Sequence, residues 1–239
     1  MARPDADLAR TFEATWPAAE TARCGGFLVG RGLGAGGRVS SAIADGMWGQ
    51  ADIDAVCAQH VAWGQRPLFR AWDDESDLIA ALTGNGFAVE TPTLVMSAPV
   101  ASLTDEPLPP VTTFAVWPPM AIQRDIWAAG SITPARQAVM DRVGHPKTSI
   151  LGRMQDRAAG SAFAAICGPV AMVHGVEVLD PFRRQGLAGW MMRQAAFWAA
   201  EQGATRIGLA VSRANQAAQA TYASMGFSMT GSYAYYGRD

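Results

Sequence analysis

The run Val173-His-Gly-Val-Glu-Val-Leu-Asp-Pro-Phe-Arg-Arg-Gln-Gly-Leu-Ala188 constrains this chain more than any other stretch, because it passes from an apolar, strand-like segment through a charged loop into a long helical pattern. In the loop, Arg183, Arg184 and Gln185 precede Gly186, and the small Ala188 follows two positions later. A glycine there lets the backbone approach a ligand closely, and the guanidinium groups suit an anion. From Leu187 to Gln202, the residues Leu187, Trp190, Met191 and Trp198 recur close to helical spacing, and Gly203 is a natural stop. The loop therefore sits at a helix N-terminus, whose unpaired amides and macrodipole favour a pyrophosphate.

This arrangement resembles the acetyl-coenzyme A signature of the GCN5-related N-acetyltransferase (GNAT) superfamily, with Arg183, Gly186 and Ala188 at the three defining positions. The resemblance continues through Asn215, Tyr222 and Gly226-Phe227 and covers roughly residues 110–239. It implies an α/β fold with a mixed, mostly antiparallel sheet flanked by helices, and acetyl-coenzyme A as cosubstrate. By resemblance, the backbone of Val176, Glu177 and Val178 holds the pantetheine arm and the thioester. The pyrophosphate falls to Arg183, Arg184, Gln185, Gly186, Leu187 and Ala188. Tyr222 is nominated as proton donor to the sulfur, while the bland reading is a ring packed with a satisfied hydroxyl. Asn215 reads equally as a cofactor contact or as the N-cap of a helix over 215–225. The implied activity is transfer of acetyl to a primary amine of a small molecule or peptide, by direct attack in a ternary complex. A non-catalytic acyl-coenzyme A sensor with the same fold is the alternative.

At 239 residues, 49% hydrophobic and 17% charged, the chain has ample material for a globular core. A net charge of −2 gives no basic footprint for nucleic acid and slightly suits a cationic amine. Cys24, Cys57 and Cys167 form no Cys-x-x-Cys pair and only three histidines accompany them, so neither a disulfide framework nor a metal site is expected. Cys167 has no histidine positioned to activate it, which argues against a covalent intermediate. The polar start Met1-Ala-Arg-Pro-Asp-Ala-Asp7 and the lack of any run of about 18 apolar residues predict neither export nor membrane insertion, hence a cytoplasmic protein.

Residues 98–113 hold four prolines and read as an extended linker, dividing the chain into units of 1–104 and 105–239. In the second unit, 120–143 predicts two short helices broken near Thr133-Pro134. Strands follow over 147–151 and 159–166 around an Asp156-Arg157 turn, then over 170–179, 205–211 and 228–236. The first unit faintly repeats this order: 67–72 parallels 205–211, 77–83 parallels the 215–225 helix, and Gly86-Phe87 matches Gly226-Phe227. Two tandem GNAT-like folds result, the first of them degenerate. At its loop position, Ala44-Asp-Gly-Met-Trp-Gly-Gln-Ala-Asp-Ile-Asp54 carries three carboxylates and no arginine, and Leu82 replaces Tyr222. Gly32-Leu-Gly-Ala-Gly-Gly37 mimics a dinucleotide fingerprint, but 38–43 reads as strand where that motif needs a helix, so a glycine-rich hairpin turn is expected.

An amine acceptor held as ammonium must lose a proton, and His174 and Glu177 are the candidate bases, with a water chain as substitute. Their odd separation predicts opposite faces of the strand, so that only one meets the acceptor. His174 also fits a satisfied structural histidine. Tyr233, Tyr235 and Tyr236 on the last strand are expected near the acceptor entrance, with tryptophans of the first unit beside them.

Overall fold

The computed structural model describes residues 3–238; Met1 and Ala2, where the amino-terminal reading began, and Asp239 lie outside the described residues. The first half runs α1 (Ala6–Ala14), β1 (Glu20–Cys24), β2 (Phe27–Arg31), α2 (Gly37–Ser40), β3 (Ala42–Ala44), α3 (Gln50–Ala62), β4 (Leu68–Trp72), α4 (Ser76–Gly84) and β5 (Ala88–Pro99). The second runs β6 (Thr113–Val116), α5 (Ala121–Ala129), α6 (Pro134–Arg142), β7 (Lys147–Met154), β8 (Arg157–Cys167), β9 (Val170–Val178), α7 (Leu187–Glu201), β10 (Arg206–Ser212), α8 (Gln216–Ser224) and β11 (Ser228–Gly237). Local chemistry accounts for many boundaries. Asp5 accepts from the Leu8 amide to start α1, and Thr133 with Pro134 behind it starts α6, which is why two helices stand where one continuous pattern could have run. The β7–β8 hairpin turns on Gln155 and Asp156, both at positive φ as a tight twisted turn requires.

All eleven strands form one mixed sheet, in the order β1-β2-β3-β4-β11-β5-β10-β9-β8-β7-β6. Among the described residues only β3–β4 and β9–β10 pair in parallel, and the other pairings are antiparallel. The repeat is visible as β4-α4-β5 against β10-α8-β11, yet neither half keeps its own last strand. β5 lies antiparallel on β10, in register from Arg206 with Pro99 to Ser212 with Thr93. β11 lies on β4, from Tyr233 with Trp72 to Gly237 with Leu68. The two exchanged strands pair with each other at the centre. The chain crosses between halves over 104–112, but the halves are interleaved by a reciprocal exchange.

Helices bury both faces. Met191, Met192, Ala195, Ala196 and Ala199 of α7 lie on Ile150, Ala162, Ala164 and Ile207. The approach is close because Gly152 and Gly160 face each other across β7–β8 under Met191, whose sulfur a Cβ at either position would meet at 2.7 or 2.9 Å. In the first half, Ile53 and Leu82 pack with Phe27, Phe69 and Tyr236, and Leu8 and Phe12 of α1 cover Val95, Met172 and Tyr233 from both halves. One expectation fails here. Residues 38–43 do not begin as strand: a single helical turn, Gly37–Ser40, precedes β3, and it drops Val39 into the core beside Trp16 and Ala35. Tertiary burial of Val39 outweighs the β-preference of the local sequence.

Because exchanged strands tie the halves together, the chain should unfold in one transition. Leu82→Ala, in the first half, should cost about 2–5 kcal/mol and shift the whole transition in scanning calorimetry. A second transition left unshifted would contradict the interleaved fold.

Candidate functional site

β9 and β10 pair only from Val170 with Arg206 to Val173 with Leu209. Beyond that register they splay apart, β9 running on to Val178 and β10 to Ser212, so the β10-facing edge of β9 opens into a cleft. A bulge lies at the fork: Phe163 and Ser161 of β8 oppose His174 and Glu177 of β9, so three steps on β9 match two on β8. Gly175, at φ 56°, takes the conformation the bulge requires, and the Trp127 indole donates to its carbonyl at 2.7 Å. The bulge corrects the expectation of opposite faces. The extra residue returns the alternation to phase, and His174 and Glu177 both line the cleft.

The two side chains are nonetheless engaged differently. His174 is buried, its Nδ1 receiving a hydrogen bond from Arg38 Nη1 at 3.2 Å and its Nε2 lying 2.9 Å from Thr15 Oγ1. Since arginine only donates, Nδ1 is the acceptor and Nε2–H donates to Thr15, which donates in turn to the Thr11 carbonyl at 2.7 Å. Burial, with the Arg38 charge beside it, pushes the imidazole pKa well below its usual value. The Glu177 carboxylate accepts from the Ser131 amide at 3.1 Å and from its hydroxyl at 2.9 Å through Oε1. Oε2 lies 4.0 Å from Arg183. Gly130 leaves room for this placement, because a Cβ there would lie 2.5 Å from the Glu177 carboxyl carbon and would displace the carboxylate.

The loop after β9 ends at Gly186, at φ 85° in the left-handed region, as the N-cap residue of α7. No side chain caps this helix, which leaves its first amides as open donors. The two arginines divide: Arg183 Nε donates to the Val178 carbonyl at 2.8 Å and Nη1 pairs with Asp180 at 2.7 Å, bracing the loop, while Arg184 forms no ion pair among the described residues. Gln185 donates to the Pro181 carbonyl at 3.1 Å. The corresponding place in the first half is filled from within. Asp52 accepts from the amides of Gly49 at 3.0 Å and Gly26 at 3.4 Å, so a carboxylate already occupies the start of α3.

On the far side of the cleft, Asn215 caps α8 through its acceptance from the Ala218 amide at 3.1 Å and also lines the cleft. Tyr222 faces the same space, its ring 5.8 Å from Phe227, and burial raises its pKa to about 12. The cleft widens into a cavity of about 830 Å³ walled by both halves. Trp16, Arg38 and the glycine-rich 34–37 segment come from the first half, and Tyr233 and Tyr235 from β11. Tyr236 points to the opposite face, into the first-half core. Arg38, Trp127, Ser131 and Arg136 carry no local motif; only a glycine inside the strand pattern, Gly175, signals the bulge in sequence.

Comparisons with known proteins agree with this geometry. The acetyltransferase (GNAT) family matches residues 119–227. An aminoglycoside N(6')-acetyltransferase type 1 of Serratia marcescens is 27% identical over 129 residues, 49% of this chain and 88% of its own length. Among solved structures, a GCN5-related N-acetyltransferase from Kribbella flavida superposes with a TM-score of 0.70 at 18% identity, over 97% of this chain and 91% of the other. A tandem GNAT protein from the clavulanic acid biosynthesis pathway superposes with a TM-score of 0.61 at 12% identity, over 82% and 74%. Among the described residues no helix is long and apolar enough to cross a membrane.

The histidine network sets an acid limit on stability. His174 is neutral in the fold, and an unfolded histidine takes up a proton below about pH 6.5. Protonation therefore favours the unfolded chain: the stabilisation is present above that pH and lost as pH falls. His60, whose pKa burial also lowers, adds to the same slope. Urea titrations from pH 7.5 to 5 should show stability falling by up to about 1.4 kcal/mol per pH unit for each histidine, with His174→Gln removing its share.

Proposed function

We propose that the chain, whose residues 119–227 match the acetyltransferase (GNAT) family, transfers acetyl from acetyl-coenzyme A to a primary amine of a small molecule, by direct attack in a ternary complex. The splay of β9 from β10 carries this reading, since it leaves a strand edge without a partner beside an uncapped helix N-terminus. When bound, acetyl-coenzyme A supplies an activated thioester and a thiol leaving group. The backbone of Val176, Glu177 and Val178 holds the pantetheine arm along the open edge. The amides around Gly186, Leu187 and Ala188, with Arg184, receive the pyrophosphate. Arg183 and Gln185 shape that loop through their backbone contacts, and Asn215 closes the other wall.

Tyr222 is the donor to the leaving sulfur. With its pKa near 12 the hydroxyl stays protonated across the working range, but it is a weak acid for a thiolate whose own pKa is about 8.5. Its contribution therefore belongs at the low end for general acids. His174 has both ring nitrogens committed within the fold, so the acceptor's proton passes to Glu177 Oε2, which accepts nothing from Ser131, or to water. The first half has a helix start at the corresponding point, but its N-cap Gly49 is extended and Asp52 sets a carboxylate there, which leaves one working site per chain.

Calorimetric titration of acetyl-coenzyme A should reach saturation at one equivalent; two equivalents would overturn the silence of the first half, and none would overturn the cofactor assignment. Gly186→Glu should abolish binding, because it forces a side chain into a left-handed position and adds a negative charge at the phosphate site. Tyr222→Phe should lower kcat by about 10²-fold or less while leaving acetyl-coenzyme A affinity unchanged.

A further inference from the structure

Arg38 is a cation in an incompletely neutralised place. Its Nη1 donates to His174 and its Nη2 to the Phe12 carbonyl, while its guanidinium lies over the Phe12 ring at 3.6 Å. Its Nε is buried without a partner, and it forms no ion pair among the described residues. A second guanidinium, Arg70, is fully buried beside the same ring at 5.1 Å and takes Glu13 for itself. Its own Nε and Nη1 are also without partners. Two buried cations thus share one carboxylate, a surplus of one positive charge in a region where unpaired charge is costly. Burial and the Arg70 charge together pull the Arg38 pKa down to about 10.

Arg38 borders two cavities. In the smaller one, of about 420 Å³, Glu13 and Arg70 are also on the wall, so a counter-charge is already present. On the other side Arg38 faces the catalytic cleft, where Arg66 is neutralised by Glu90 at 2.7 Å and Arg136 is held by the carbonyls of Ala35 and Ser131 at 3.4 and 3.1 Å. The carboxylates on that wall are Glu90, paired with Arg66, and Glu177, which is held by Ser131 and lies 4.0 Å from Arg183, so Arg38 has no carboxylate of its own there. Trp16, Tyr233 and Tyr235 add aromatic surface around Arg38. The cation is also near the proposed chemistry: it bonds His174, two residues before Val176, no more than about 7 Å along an extended strand.

Resting on the proposed acyl transfer, we propose that Arg38 receives the carboxylate of the acceptor, so that the acceptor is a small amine bearing a carboxylate, of the amino-acid class. A single surplus charge matches a monoanion better than a dianionic phosphate. The remaining N–H groups on Nη1 and Nη2 present the fork that a carboxylate accepts. The anion completes Arg38, and the amine points along β9 toward the open edge at Val176.

The test is calorimetric binding of amino acids, aromatic ones included, against their carboxamides, with acetyl-coenzyme A titrated in parallel. Wild-type protein should bind the carboxylate member roughly 10- to 100-fold more tightly, the range expected for hydrogen bonds to a charged group. Arg38→Gln should erase that preference with acetyl-coenzyme A binding intact, and Arg38→Lys, which keeps the charge but loses the fork, should retain part of it. If acetyl-coenzyme A binds and carboxylates show no preference over carboxamides, or no member of the panel binds, the Arg38 assignment is overturned while acyl transfer stands. If carboxylates bind in an Arg38-dependent way and acetyl-coenzyme A does not, the acyl-transfer reading falls and the carboxylate site stands.

Discussion

Backbone pairing between β5 and β11 holds the middle of this molecule, and every wall of the candidate site depends on it. Each of these strands completes the sheet of the half to which it does not belong, β5 against β10 and β11 against β4. The pairing brings Tyr233 and Tyr235 to the same cavity as Val176 and Tyr222, and it places α1 across both halves, with Phe12 and Leu8 buried on strands from each. A sheet made of two separately closed halves would leave the cleft open where the first half now walls it.

The two halves show how one backbone arrangement takes opposite electrostatic roles. Both run strand, loop, helix at the same point of the fold. In the second half the helix begins at Gly186, with no side chain on its amides. In the first, Asp52 turns back onto the amides of Gly49, the N-cap residue, and of Gly26 in the β1–β2 turn, and so puts a carboxylate at the start of α3. A carboxylate at a helix N-terminus is favourable for the helix and repulsive for a diphosphate. The same substitution that stabilises α3 removes its use as an anion site. The change of Tyr222 to Leu82, fully buried in the first-half core, follows the same direction from site to packing.

Between the halves runs a polar thread through an otherwise apolar region: Arg38 to His174, His174 to Thr15, Thr15 to the Thr11 carbonyl. Each donor meets one acceptor, and the histidine tautomer is set by the requirement that arginine only donates. Trp16 and Phe163 pack against the imidazole, with ring centres 5.0 and 6.1 Å away, and against each other at 6.3 Å. The thread joins α1 and α2 of the first half to the strand that carries the bulge. It thereby connects the first-half wall to the edge where chemistry is proposed.

The order of strands and helices from α5 onward was legible in sequence, because helical spacing, N-caps and tight turns are local: Thr133-Pro134, the turn read at Asp156-Arg157 and found one residue earlier, and the loop into Leu187 each act within a few residues, whereas the short β6 fell where a linker was expected. The GNAT-type fold was readable through the resemblance of its loop motif, and the carboxylates that stand in the first-half loop were readable from the faint internal repeat. Three things were not. The helical turn at Gly37–Ser40 formed because Val39 gains burial from residues far along the chain. His174 and Glu177 share a face because a bulge, held by Trp127 from another helix, adds one residue to the count that strand alternation assumes. Which half owns β5 and β11 was decided by pairing across more than a hundred residues, and periodicity describes the face of a strand but not its neighbour. By itself the sequence determined most of the elements of the second half and the loop proposed to receive an anion. Tertiary structure decided which side chains meet in the cleft, because burial, register and charge compensation are properties of segments brought together from both halves.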